Sequence, residues 1–196
     1  MSATKLTWLR WWEWLGIVKL LGLLRHAKSD WDNTSQRDFD RGLNARGRKG
    51  AELIGRHIRD HGVKWDRLIA SPAVRVKLTL EGALPEMPVI WDQRLYLASF
   101  DSIVETIEAH AGSGDDEARA ILISGHNPGL QDVLLELVAP GKENELFREA
   151  VVKFPTAAYA VLECDIAHWS ELKRYCAKLL HFARPRDLDP ELGPQD

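Results

Sequence analysis

Two histidines and two arginines in this 196-residue chain stand shortly after apolar runs. Arg25 and His26 directly follow the run 17–24, while Arg75 and His126 lie just beyond two later runs. A neutral imidazole nitrogen is a nucleophile near physiological pH, and guanidinium groups bind phosphoryl oxygens through paired N–H donors. Each residue alone has an ordinary structural alternative, a satisfied polar histidine or a solvated arginine. If the four converge, however, they form a pocket for a dianion such as a phosphoryl group.

Strands and helices alternate along the chain as in βαβ units, which predicts an α/β fold. We expect three layers, with a mostly parallel central sheet flanked by helices and antiparallel strands at the C-terminal end. The carboxyl ends of parallel strands share one edge of a sheet, so the polar clusters would meet there. The predicted strands span 17–24, 67–70, 88–91 and 120–123, followed by a hairpin of 157–162 and 177–182. A first helix is predicted to begin after a cap at Asn44. Three further helices are predicted over 71–84, 102–111 and 129–138.

The composition excludes several classes of protein. The chain is 45% hydrophobic and 28% charged, which fits a folded domain and excludes intrinsic disorder and collagen-like repeats. With a net charge of -3, the chain lacks the excess of basic residues that is expected of a nucleic-acid binder. Cys164 and Cys176 predict free thiols in a reducing, cytoplasmic setting, and no set of cysteines and histidines has zinc-ligand spacing.

The first residues differ in composition, because four of the eight tryptophans lie between Trp8 and Trp14. Charged residues interrupt the segment, which makes it too broken for a signal peptide or a membrane span. We interpret residues 1–16 as a Trp-rich extension, 17–188 as the domain and 189–196 as a flexible tail. The alternative is an amphipathic helix over residues 6–15 that rests on a membrane surface or a partner.

Three motifs carry a resemblance to a known family. They are Leu24-Arg25-His26-Ala27-Lys28, Ser71-Pro72-Ala73-Val74-Arg75 with Thr79, and Ser124-Gly125-His126-Asn127-Pro128-Gly129; the segments 40–47 and 182–188 are similar too. In order and spacing they resemble the histidine phosphatase superfamily, and within it the small SixA-type phosphohistidine phosphatases. The resemblance runs from about Lys19 to Leu188 and implies a phosphoglycerate mutase-like fold.

The resemblance implies phosphoryl transfer through a covalent enzyme intermediate. His26 would be the nucleophile, with its other ring nitrogen oriented by a hydrogen bond to a carbonyl. Arg25 and Arg75 would hold the phosphoryl oxygens, and His126, cationic while phosphate is bound, would complete the cage. These four residues form the predicted catalytic group. No metal or other cofactor is expected, because the protein itself supplies the positive charge.

Lys28 and Asn127 are predicted to bind the substrate, at the phosphate or at the leaving group. For each of them a solvated or capping role stays open as the structural alternative. The expected partner is a phosphorylated substrate, either a phosphoprotein or a small molecule. We expect no nucleic-acid partner, and membrane contact through residues 6–15 is the disfavoured interpretation.

One departure from the wider superfamily concerns the general acid. Many relatives place a glutamate shortly after the third strand to protonate the leaving group, whereas the comparable stretch here, 94–98, holds no carboxylate. Asp92, Asp101 and Glu105 lie nearby, but a helix cap is favoured for Asp101 and solvent exposure for Glu105. We therefore expect a substrate with a labile P–N bond or an acidic leaving group. The same absence argues against a phosphoglycerate mutase.

The favoured function is thus a metal-independent phosphohydrolase acting on phosphohistidine proteins or other labile phosphoryl compounds. Three alternatives stay open: a phosphatase of a small phosphorylated metabolite, a module that binds phosphoanions without turnover, and a scaffold docked to a membrane or a protein through residues 6–15.

Overall fold

A six-stranded sheet forms the centre of the protein, whose computed structural model describes residues 18–193. The strands lie in the spatial order β3-β2-β4-β1-β5-β6. The first four run parallel, and β5 pairs antiparallel with both β1 and β6. The strands are β1 Lys19–Arg25, β2 Arg67–Ala70, β3 Val89–Trp91, β4 Ala120–Gly125, β5 Tyr159–Cys164 and β6 Ala177–Ala183.

Six α-helices within residues 18–193 accompany the sheet, and five of them form the outer layers. They are α1 Ala45–His61, α2 Val74–Ala83, α3 Phe100–His110, α4 Gly129–Leu137, α5 Glu145–Val152 and the short α6 Pro185–Leu188. Helices α1 and α2 pack on one face of the sheet, and α3, α4 and α5 pack on the other. Strand β4 shows the alternation, since Ile121 and Ile123 enter one core and Leu122 enters the other. The predicted three-layer α/β architecture, with its antiparallel strands at the C-terminal end, is confirmed.

Helix α1 begins close to the loop that follows β1. As predicted, Asn44 caps it, because the Asn44 side chain accepts a hydrogen bond of 2.8 Å from the Gly47 backbone N–H. A Cβ atom at Gly47 would collide with the Lys28 carbonyl. Glycine at this position therefore allows the helix to approach the backbone two residues beyond His26.

Two helix starts were predicted incorrectly. Helix α2 begins at Val74 with Ala73 as its N-cap, rather than at Ser71 and Pro72. Helix α3 is capped by Ser99, not by Asp101, because the Ser99 hydroxyl accepts from the Ser102 N–H. The sequence analysis also missed α5 entirely. The helix is only eight residues long, so its apolar positions repeat over little more than two turns and give a short sequence signal.

The ends of the chain lie partly outside the described residues. The Trp-rich extension predicted for 1–16 is outside them, as is the tail after residue 193. Residues 189–193 of that tail contact α1, where Arg46 donates to the carbonyls of Leu192 and Gly193 at 2.6 and 2.7 Å. The domain boundaries at 16 and 188 stay predictions. No helix within residues 18–193 is long and apolar enough to cross a membrane.

Both cysteines are buried, and each has a free thiol. Cys164 ends β5, and Cys176 immediately precedes β6. The prediction of free thiols is confirmed.

Candidate active site

The carboxyl ends of β1, β2 and β4 meet at one edge of the sheet, as the parallel topology requires. His26 follows β1 and His126 follows β4, and their ring centroids lie 5.1 Å apart. Arg25 ends β1, and Arg75 lies in the first turn of α2, beyond the end of β2. The structure thus brings together the four residues of the predicted catalytic group.

His26 is held in one tautomer and in its neutral form. Its Nδ1 donates a hydrogen bond of 2.8 Å to the Ala27 carbonyl, which leaves Nε2 with its lone pair. The pKa of His26 is lowered to about 4, chiefly because burial disfavours the imidazolium. The Ala27 carbonyl opposes this effect, while the charges of Arg75 and Arg25 add to it. His26 is therefore an unprotonated, nucleophilic imidazole at neutral pH.

His126 is also neutral among these protein groups. Burial lowers its pKa to about 3, with further contributions from His26 and Arg75. Its Nε2 lies 2.9 Å from the hydroxyl of the fully buried Ser71. Its Nδ1 is buried and makes no hydrogen bond within residues 18–193. A bound dianion would raise the pKa of His126, so the cationic form expected with phosphate requires that anion.

Arg25 and Arg75 carry positive charge beside the two histidines. Nη1 of Arg25 donates to the Phe154 carbonyl at 2.7 Å, whereas its buried Nε has no acceptor in the described part of the chain. Burial, followed by the charge of Arg75, lowers the pKa of Arg25. Two guanidinium groups in this proximity favour an anion between them.

Asp38 and Tyr96 are the residues that the sequence analysis missed. Arg75 donates to the backbone carbonyl of Asp38 and, at 2.8 Å, to its carboxylate. The Tyr96 hydroxyl donates to the same carboxylate oxygen at 2.8 Å. Burial acts to raise the pKa of Asp38, but the hydrogen bonds from Tyr96 and Arg75 lower it overall. Asp38 is thus an ionised carboxylate that orients Arg75 and carries no proton at neutral pH.

Thr79 connects the end of β1 to α2. Its hydroxyl accepts a 2.9 Å hydrogen bond from the Ala27 N–H and donates one of 2.6 Å to the Arg75 carbonyl. These two bonds fix the backbone after His26 relative to the helix that carries Arg75. These hydrogen bonds explain structurally why Thr79 belongs to the second sequence motif.

Lys28 and Asn127 differ in their surroundings. Lys28 is exposed and lines a cleft next to Arg25. The Asn127 amide donates to the Gln131 side chain and to the Phe154 carbonyl, both at 3.1 Å. Its Oδ1 is buried and has no hydrogen-bond donor among the described residues. Asn127 therefore holds the loop after β4 against the carbonyl that Arg25 also uses.

The three acids near the 94–98 stretch lie in other networks. Asp92 accepts from Arg94 and His110, and the Arg94 hydrogen bonds are the largest cause of its lowered pKa. Asp101 is exposed and lies 3.9 Å from Arg174, and Glu105 is exposed. In the part of the chain that the structure describes, no hydrogen bond or ion pair links these acids to the predicted catalytic group.

Residues 18–193 contain no cluster of three or more His, Cys, Asp or Glu side chains able to hold a metal ion.

Comparison with known proteins identifies the family. Residues 21–101 match the model of the histidine phosphatase superfamily, branch 1. An uncharacterized protein of Mycobacterium leprae is 33% identical over 168 residues, which is 83% of this chain and all of the relative. An uncharacterized Mycobacterium tuberculosis protein is 30% identical over 164 residues, with 83% and 100% coverage. The chain belongs to the histidine phosphatase superfamily.

Solved structures narrow the assignment within this superfamily. A Nakamurella multipartitia protein, provisionally assigned as phosphohistidine phosphatase SixA, superposes with a TM-score of 0.73 at 26% identity, covering 86% of this chain and 96% of its own. One from Agrobacterium tumefaciens with the same provisional assignment gives 0.66 at 27% identity, covering 85% and 99%. The protein histidine phosphatase SixA with tungstate shares the fold, with a TM-score of 0.67 at 18% identity, covering 87% and 99%. The chain is thus a SixA-type member, and the protein is a phosphatase.

Proposed function

We propose that this phosphatase works without a metal ion, through a covalent phosphohistidine intermediate on His26. The observation that carries the proposal is the His26 Nδ1 hydrogen bond to the Ala27 carbonyl, which presents an unprotonated Nε2 beside two arginines. The positive charge that a metal supplies in other phosphotransferases comes here from Arg25 and Arg75. His26 is the catalytic nucleophile, and both arginines bind the phosphoryl group.

The reaction has two steps. In the first, the Nε2 lone pair of His26 attacks phosphorus, a P–N bond forms, and the bond to the leaving group breaks with its electron pair going to that group. Arg25 and Arg75 hold the phosphoryl oxygens while charge develops, and His126 becomes cationic next to the dianion. In the second step, water attacks phosphorus, the P–N bond breaks with its electron pair returning to Nε2 of His26, and inorganic phosphate leaves with the protons of the water. Removing one such charge-stabilising donor costs about a hundred- to a thousandfold in rate.

The preferred substrate has a leaving group that departs without a strong protein acid. Asp38 is the carboxylate bound to Arg75, and the hydrogen bonds from Tyr96 and Arg75 keep it ionised. A P–N bond suits such a site, because its nitrogen can be protonated before the bond breaks; an acidic oxygen leaving group suits it equally. Phosphohistidine proteins and other labile phosphoryl compounds are therefore the proposed substrates, in keeping with the phosphohistidine phosphatase names of the structural neighbours. Asn127 supports the loop at this site, and Lys28 contacts the substrate beyond the transferred phosphate.

The test measures hydrolysis of a phosphohistidine peptide, p-nitrophenyl phosphate and a simple alkyl phosphate, with a chelator and no added metal. We expect turnover of the first two, slow turnover of the alkyl phosphate, and no turnover of any by His26→Ala. Rapid quenching with a radiolabelled substrate should trap an acid-labile, alkali-stable phosphoenzyme in the wild type only. Brisk alkyl phosphate turnover would refute the substrate class, and loss of activity with the chelator would refute metal independence. A protein that binds phosphate but turns over none of the three would be a phosphoanion-binding module.

A further inference from the structure

A basic cleft lies next to the candidate active site, and the proposed chemistry leaves most of it unexplained. Its volume is about 360 Å³, which lies at the small-molecule end of binding-site sizes. Among residues 18–193, no acidic side chain lines the cleft, although the whole chain carries a net charge of -3. Six basic residues line the cleft: Arg25, Lys28, Arg46, Lys153, Arg184 and Arg186. Such a concentration of like charge is unfavourable unless anions compensate it.

The protein itself compensates one side of this cleft. Arg184 is paired with Glu149 at 2.6 Å and with Asp187 at 2.8 Å. Arg186 has its nearest carboxylate, again that of Asp187, at 4.0 Å. One acid thus serves two arginines, and Arg184 has a structural role in fixing this side of the cleft.

The other basic side chains have no acidic partner within residues 18–193. Lys28 and Lys153 are exposed and form no ion pair there, and Arg46 is bound to the two carbonyls of Leu192 and Gly193. Lys28 follows β1, Arg46 lies in the first turn of α1, and Lys153 directly follows α5. Because separate elements hold these charges, their convergence is set by the fold rather than by one flexible loop.

Arg25 joins the cleft to the candidate active site. It lines the cleft, and its charge also lowers the pKa of the neighbouring His26. A substrate whose phosphoryl group lies at His26 and whose remainder extends past Arg25 would enter this cleft.

We propose that the cleft binds a second phosphate group, carried by a small-molecule substrate beyond the phosphoryl group that is cleaved. This inference rests on the proposed function, since it takes the cleaved group to lie at His26, and among the proposed substrates it selects small labile phosphoryl compounds with a second phosphate over phosphohistidine proteins. The limited volume favours a compact anion over a protein segment. Lys28, Arg46 and Lys153 are the residues that bind the second phosphate, and they make the protein selective for doubly phosphorylated compounds.

The test uses inhibitors that differ only in the second charged group. Alkylphosphonates and α,ω-alkanebisphosphonates of matched, graded chain length compete with p-nitrophenyl phosphate, and inhibition constants are determined for the full chain. At the fitting length the bisphosphonate should bind about tenfold more tightly than its monophosphonate. The advantage should shrink at high salt, because the groups are partly exposed.

Two lysine variants sharpen this test. Lys153→Gln should remove most of the bisphosphonate advantage, whereas Lys64→Gln, which removes an exposed charge outside the cleft, should keep it. Equal inhibition by both series at every chain length would overturn the proposal. An acidic peptide is tested as an inhibitor in parallel. Tight inhibition by this peptide, with no advantage for the bisphosphonates, would overturn the proposal as well, because the cleft would then bind a protein substrate.

Calorimetric titration of the bisphosphonates into His26→Ala separates this proposal from the proposed function. A preference for bisphosphonate that Lys153→Gln abolishes in this background supports the cleft without any turnover. If no phosphoenzyme forms on His26 in the wild type, the covalent mechanism fails while this binding result still stands.

Discussion

Two pairs of histidine rings in this protein lie at nearly the same separation but in opposite chemical settings. The centroids are 5.1 Å apart for His26 and His126 and 5.0 Å apart for His57 and His181. The first pair lies at the carboxyl ends of β1 and β4, beside two arginines. The second lies between α1 and β6, where the His181 ring is 5.7 Å from that of Tyr159.

The difference lies in what each reactive nitrogen contacts. Nε2 of His57 and Nε2 of His181 are 2.8 Å apart and share one hydrogen bond, so each engages the nitrogen of the other. His26 instead uses Nδ1 for the Ala27 carbonyl, and within residues 18–193 no hydrogen bond engages its Nε2. Proximity of imidazoles therefore does not distinguish the two pairs. The proposal that His26 is the nucleophile rests instead on the orientation of its ring and on the positive charge around it.

Replacing the two histidines separately should give the largest contrast. We expect His26→Ala to lose on the order of 10⁴-fold or more in kcat, because the variant lacks the proposed nucleophile. His181→Gln is the matched variant in the other pair and should keep wild-type turnover. The measurement is steady-state hydrolysis of p-nitrophenyl phosphate with phosphoenzyme trapping. A phosphoenzyme that persists in His26→Ala would remove the distinction between the pairs.

Two arginines paired with aspartates allow a similar contrast. Arg75 is paired with Asp38 beside the histidines, and Arg94 is paired with Asp92 in a different network. Arg75→Ala should lower kcat by about a hundred- to a thousandfold, the cost of losing one donor to the developing charge. Arg94→Ala should leave kcat near the wild-type value. Equal losses in both variants would indicate general destabilisation, which circular dichroism of the two proteins would reveal.

The convergence of His26 and His126 at one edge of the sheet was predictable from the sequence. His26 and His126 follow apolar strands directly, and parallel strands bring such residues to one edge. The start of α2 was not predictable in this way, because Ser71 has the residue type of an N-cap while its hydroxyl lies 2.9 Å from His126. A local rule thus failed where the side chain was needed elsewhere.

The network around Arg75 was beyond sequence reasoning for a different reason. Asp38 and Tyr96 are separated by 58 positions and meet only through the fold. The 94–98 stretch has no carboxylate, and it contributes the Tyr96 hydroxyl to the site instead. The basic cleft was equally hidden, since its charges come from distant segments of a chain with net negative charge.

Acid should destabilise the protein through the first histidine pair. His26 has a lowered pKa of about 4 when folded, so between pH 6.5 and 4 the unfolded chain binds more protons than the folded one. The free energy of unfolding should therefore fall as the pH falls through this window, by about 3 kcal/mol from His26 alone at pH 4. Urea titrations across the window measure it. His26→Ala should make the dependence shallower and leave the contribution of His126; an unchanged slope would mean that His26 is not held neutral by burial.

The smallest predicted effect concerns the orientation of Arg75. Tyr96→Phe deletes the hydroxyl that donates to Asp38 but keeps the ring, which lies edge-on to His126 with 5.4 Å between ring centroids. The lost hydrogen bond contributes about 1 kcal/mol, so kcat should fall by less than about tenfold.

Asp38→Asn should lower kcat more than Tyr96→Phe does, because it removes the charge that Arg75 contacts directly. It should also shift the acidic limb of the kcat/KM profile to lower pH, since the negative charge of Asp38 acts to raise the pKa of His26. A purely structural role for Asp38 would lower activity without moving that limb, so the pH profile decides whether this carboxylate acts on the histidine site or only supports the loop that contains it.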